Sequence, residues 1–125
     1  GADAALTTDT NLLPLFDQAV VHFGSATAFL EGPLDETYRH YLGAAKEKAA
    51  LISFDPNFRV DLWKSKKESF ISQSLPFIAA SDLFKLVKRR PFYCQAKTPI
   101  KRLRTTFINW ARDWCASPLE ARAPL

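Results

Sequence analysis

Three short apolar runs, separated by stretches with helical spacing, constrain this chain more than any other feature. Ala19-Val20-Val21-His22-Phe23-Gly24 is apolar and ends in Gly, the pattern of a buried strand. Gly32-Pro33 then opens a helix, since Pro is favoured at the first helical position. Leu34, Tyr38, Tyr41, Leu42 and Ala45 recur at helical spacing, with Arg39, Lys46 and Lys48 between them. Leu51-Ile52-Ser53-Phe54 is a second strand, stopped by Asp55-Pro56-Asn57. Ser65-Lys66-Lys67-Glu68 has the form of a capping box, and the helix behind it should bury Phe70, Ile71, Leu75 and Ile78. Pro76 inside that pattern predicts a kink or an early end. Asp82-Leu83-Phe84-Lys85-Leu86-Val87 reads as a third strand. Strands alternating with helices imply crossovers and a parallel sheet, a βαβαβ unit of the α/β class.

In such sheets ligands gather at the carboxyl ends of the strands. Those ends are Gly24-Ser25-Ala26 and Asp55-Pro56-Asn57-Phe58-Arg59. Gly24 and Ser25 permit close approach of a ligand or of a neighbouring backbone, and a tight strand-to-helix turn is the simpler reading. The segment is neither GxGxxG nor a Walker loop, so it does not point to phosphate. Asp55 and Asn57 can cap a turn, and Arg59 can bind an anion or a sugar hydroxyl; spacing alone favours a turn with a surface Arg. His22 reads as a satisfied core histidine and His40 as an exposed one. No Ser/His/Asp constellation or catalytic carboxylate pair is visible. Cys94 and Cys115 make no CxxC and have no nearby His, which argues against zinc.

Charge divides the chain. Residues 1–87 hold 8 Lys/Arg and 11 Asp/Glu, a net of −3, whereas residues 88–125 hold 9 and 2, a net of +7. Both cysteines and two of the three tryptophans fall in the second part. Lys88-Arg89-Arg90-Pro91 should break any element, leaving a disordered basic tail in which Leu103, Phe107, Trp110 and Trp114 could line one face of a short helix. Basic residues interleaved with aromatics also suit nucleic acid, the alternative function for the chain. No signal segment or apolar run long enough to span a bilayer is present, so a cytoplasmic location is expected. The start at Gly1 and the lack of any Met suggest an internal piece.

Taken together, these residues resemble the PfkB, or ribokinase-like, sugar kinases, in their fructokinase-like branch. HFGSATAFLEGP, from His22 to Pro33, matches the branch's hFGSxALxxGP segment, and ISFDPNFRVDLW, from Ile52 to Trp63, matches its ISFDPNxRxxLW segment. Ala80 to Lys85 matches the strand leading to its AD-x-x-K-V-S-E-E-E motif, and Gly1 to Leu6 looks like the chain leaving the small lid sheet. The resemblance covers nearly all of residues 1–87.

Beyond Lys85 the pattern departs: Leu86 to Arg90 stand where the family has the acidic run. Codons permitted for Leu86 to Arg90, read one base out of frame, spell V-S-E-E-K. The same shift through Thr106 to Leu125 spells a strand and glycine turn of the family's LGAxxVxITLGxxG type. Residues 86–125, which include the basic tail 88–125, are therefore expected to be an out-of-frame translation following a frameshift after Lys85.

The resemblance implies transfer of the ATP γ-phosphoryl group to a sugar hydroxyl with Mg²⁺, fructose being the expected sugar. That chemistry needs a base, an anion hole and metal-held phosphates. The family's base lies in a G-A-G-D motif that this chain lacks, so no catalytic or metal-binding residue is assigned and the fragment is expected to bind neither ATP nor Mg²⁺. Asn57 and Arg59 are carried over as contacts near the sugar, with Gly24 and Ser25 shaping the pocket floor. A sheet cut from a larger one should leave exposed edges and an uncovered face.

Overall fold

A computed structural model describes residues 2–63, 66–87, 91–95 and 105–109. Its centre is a four-stranded sheet in the order β1 (Val20–Gly24), β2 (Leu51–Asp55), β3 (Leu83–Val87), β4 (Pro91–Gln95). β1, β2 and β3 run parallel, with Phe23 beside Phe54 and Phe54 beside Phe84. α1 (Pro33–Glu47) joins β1 to β2; the single turn α2 (Val60–Trp63) and then α3 (Lys67–Ala80) join β2 to β3. This is the expected βαβαβ order.

Both long helices cover the same face. Phe23 of β1 meets Tyr38 of α1 at 5.6 Å and Phe77 of α3 at 5.3 Å between ring centroids. The core is built around two aromatic hubs one heptad apart on α3. Phe77 touches Phe29 and Phe54, while Phe70 touches Phe58 and Trp63, at 4.9 and 5.0 Å. Both hubs are fully buried, and burial of such a side chain contributes ~1.5–3 kcal/mol.

α1 follows its sequence closely. Gly32 precedes it at φ 141°, a conformation open to Gly, and Pro33 is its first residue. Leu34, Leu42 and Ala45 are buried, Tyr38 and Tyr41 pack partly on the core, and His40 is exposed as expected. The helix ends in a Schellman arrangement, Ala50 N–H to the Ala45 carbonyl and Ala49 N–H to the Lys46 carbonyl, with Ala49 at φ 52°. The N-terminal segment, two 3-10 stretches at Ala2–Ala5 and Thr10–Phe16, lies along α1: Thr37 Oγ1 donates to the Leu6 carbonyl and Phe16 packs edge-on against Tyr41.

Four expectations are corrected. Pro76 does not end its helix, which runs on to Ala80. Pro76 is exposed, and the buried Phe77 and Ile78 hold the final turn against the sheet. Leu75 is only half-buried, and Phe77 takes the central place. His22 is not in the core: strand alternation turns it to the uncovered face, where Nδ1 lies 3.1 Å from Ser53 Oγ.

The fourth correction concerns the basic tail. Pro91–Gln95 is not disordered but pairs antiparallel with β3, Phe84 beside Cys94. Residues 105–109 are helical, and Phe107 is fully buried, 5.9 Å from Phe84 and 6.5 Å from Phe70. An apolar ring at an open sheet edge is stabilised by burial whatever its surrounding charge. The Ser65 cap, the break at Lys88 to Arg90, and Leu103, Trp110, Trp114 and Cys115 lie outside the described residues; α3 itself is preceded by Lys66, which makes no side-chain cap bond.

The face opposite the helices carries Val20 and Leu51, 68% and 48% exposed, side by side on neighbouring strands. Parallel sheets are ordinarily covered on both faces, whereas among the described residues this face leaves Val20 and Leu51 exposed.

Candidate functional site

The carboxyl ends of β1 and β2 meet in one small region. After Gly24, Ser25 donates its backbone N–H to the Asp55 carbonyl at 3.1 Å, and its hydroxyl donates to the Pro56 carbonyl. Ser25 and Pro56 are fully buried. The serine thus fastens the turn after β1 to the loop after β2, which is the close-approach reading of Gly24-Ser25. Tyr38 of α1 donates its hydroxyl to the Gly24 carbonyl at 3.0 Å, tying the same turn to the helix.

Across the loop, Asp55 is the organising group. Its Oδ1 accepts from the Asn57 N–H at 3.1 Å, closing an Asx turn that holds Asn57 at φ 37°. Its Oδ2 lies 3.5 Å from Lys85 Nζ on β3. Phe58 is buried against Phe70, so the loop is anchored while Asn57 and Arg59 on either side stay exposed. The Arg59 carbonyl accepts from the Leu62 and Trp63 N–H groups and so starts α2.

Of the four residues singled out from sequence, Gly24 and Ser25 are brought to the loop that carries Asn57 and Arg59. Ser25 is committed to backbone partners and does not present its hydroxyl outward. Asn57 and Arg59 are the exposed polar side chains there. Sequence reasoning did not foresee Lys85 and Tyr38 in this region; both reach it from other elements, with no local spacing to announce them. A second unforeseen polar contact lies at the other end of the sheet. Asp82 Oδ2 accepts from the Ile52 N–H and the Asp82 N–H donates to the Ile52 carbonyl, both at 2.8 Å, starting the β2–β3 ladder.

Among the described residues, no three His, Cys, Asp or Glu side chains gather as a metal site. Asp55 Oδ2 pairs with Lys85 and its Oδ1 serves the Asx turn, so the described residues at these strand ends offer no free donor set for Mg²⁺. No described helix is long and apolar enough to cross a membrane.

Comparison with known proteins bears on this geometry. Over 69 residues, 54% of this chain, it is 41% identical to a fructokinase of Solanum tuberosum. Over stretches of the same length it is 39% identical to a probable fructokinase-4 of Arabidopsis thaliana and to fructokinase-1 of Zea mays. This chain carries a fructokinase-like PfkB segment. The PfkB segment spans about a fifth of the length of these relatives, 21% in each case. No family profile matches the chain, and no solved structure matches it. The helix-backed parallel sheet agrees with a piece of a ribokinase-like domain.

Proposed function

We propose that residues 1–87 descend from an ATP-dependent sugar kinase acting on fructose, and that this chain by itself transfers no phosphate. The observation that carries this reading is the 69-residue likeness to plant fructokinases. The strand ends around Gly24-Ser25 and Asp55 to Arg59 support it. Arg59 and Asn57 are exposed where a sugar hydroxyl could reach them, and Ser25 and Tyr38 fix the floor beside them. Phosphoryl transfer needs a positioned base, an anion hole and held phosphates together; the sequence offers no G-A-G-D motif to supply the first two. A cytoplasmic location and a role in carbohydrate metabolism belong to the same reading. So does an out-of-frame origin for residues 88–125, which explains the charge reversal, two tryptophans and both cysteines at once.

The test is the purified chain incubated with fructose, ATP and Mg²⁺. No fructose-dependent ADP is expected, and sustained turnover would overturn the inactive reading. In an intact plant fructokinase, replacing the arginine that matches Arg59 should raise the sugar KM by about tenfold, the loss of one charge-assisted hydrogen bond. An unchanged KM would remove Arg59 from the sugar site.

A further inference from the structure

The loop from Asp55 to Arg59 is held from two sides. On the buried side the Ser25 hydroxyl donates to the Pro56 carbonyl, and Phe58 packs on Phe70. On the other side the fastening is the Asp55 carboxylate, whose two oxygens are divided. Oδ1 accepts the Asn57 N–H at 3.1 Å, and Oδ2 lies 3.5 Å from Lys85 Nζ. Strand register sets up this pair. The alignment that puts Phe54 beside Phe84 brings the next residues, Asp55 and Lys85, side by side on the face away from the helices. Among the described residues no other cation pairs with Asp55. Asn57 sits at φ 37°, a left-handed conformation that a residue with a Cβ adopts at a cost, so the turn depends on what holds it. The side chains of Lys85 and Asp55 are 39% and 25% exposed. Solvent screens such a pair, and its contribution to global stability is small. Its effect is local: it keeps the carboxylate turned so that Oδ1 meets the Asn57 N–H.

We propose that Lys85 is a positioning residue of the sugar pocket, acting through Asp55 on Asn57. This rests on the reading of Asn57 as a sugar contact. An Asx turn whose carboxylate is fixed at both oxygens presents the Asn57 side chain in one orientation before a sugar arrives, so less ordering is left to be done on binding. Arg59 is fixed differently: its neighbour Phe58 is buried, and its own carbonyl starts α2. Loss of the Lys85 cation therefore frees Asn57 and leaves Arg59 in place.

Two measurements test this and separate it from the reading it rests on. In the full chain, Lys85→Met keeps the length of the side chain and removes its charge. The Asn57 amide should then exchange with solvent about threefold faster, the scale of one part-exposed ion pair, while the Phe54 and Phe84 amides keep the parent rate. Lys85→Arg should restore the Asn57 rate. In an intact plant fructokinase, Met at the lysine of the AD-x-x-K motif that matches Lys85 should raise the fructose KM about threefold and leave kcat and the ATP KM unchanged. Arg at that position should again restore the parent value. An Asn57 amide that ignores the loss of the cation would overturn the proposal. So would an unchanged fructose KM in the lysine variant of an enzyme whose KM rises on Asn→Ala at the position matching Asn57. If that Asn→Ala change leaves the KM alone as well, the sugar-site reading of Asn57 fails, and the proposal falls with it.

Discussion

Residues up to Val87 and residues beyond it contribute to one sheet under different rules. In the first part, sequence pattern, secondary structure and burial agree: α1 buries the stripe its spacing announces, and α3 sets Phe70 and Phe77 over Phe29, Phe54 and Phe58. In the second part the sequence carries no family pattern and a net of +7, yet Pro91–Gln95 pairs with β3 and Phe107 closes over Phe84. An unpaired edge and an exposed aromatic surface recruit whatever strand and ring the following chain provides, because backbone pairing and apolar burial are not particular about sequence. Under the proposed out-of-frame origin, the order of residues 91–95 and 105–109 owes nothing to selection for it.

The sharpest way to probe this contrast is to remove a hub on each side of it. Phe77→Ala takes away a ring that meets Phe23, Phe29 and Phe54. It should cost about 4 kcal/mol in urea unfolding, near the whole stability of a small domain. Phe107→Ala should cost about 3 kcal/mol if the second part is packed as the structure has it. A change below about 0.5 kcal/mol, the range of ordinary surface substitutions, would show that the first part stands alone and would break the comparison.

Smaller effects map the joins. Asp82→Ala removes the acceptor of the Ile52 N–H and should lower stability by about 1–2 kcal/mol, read from the shift of the denaturation midpoint. Ala49→Gly should raise it by about 1 kcal/mol, since Ala49 sits at φ 52° in the C-terminal turn of α1 and the left-handed conformation penalises a Cβ. A loss on Ala49→Gly would mean that this turn is not formed in solution.

How far the sequence was legible follows the same division. The three parallel strands and α1 could be read because apolar periodicity, Gly-Pro and Asp-Pro-Asn act locally. His22 was misjudged because an apolar run looks the same whether one or both faces of its strand are covered; only the single helical layer decides it. Pro76 was misjudged because tertiary anchoring by Phe77 and Ile78 outweighs one absent backbone bond. β4 was invisible, since its partner is an edge and not a motif. At the strand ends, Gly24-Ser25 and Asn57 had local signatures, whereas the ion pair of Asp55 with Lys85 joins elements 30 residues apart in sequence and leaves no local spacing to read.

The most direct test of the account is the nucleotide sequence of the gene from upstream of the Gly1 codon to well past that of Leu125. The account predicts that restoring one base at the Lys85/Leu86 junction opens a frame in which V-S-E-E and the later glycine turn appear, continuing as a sugar kinase. A gene in which neither shifted frame encodes that continuation would contradict it, and would make residues 88–125 a genuine part of the protein.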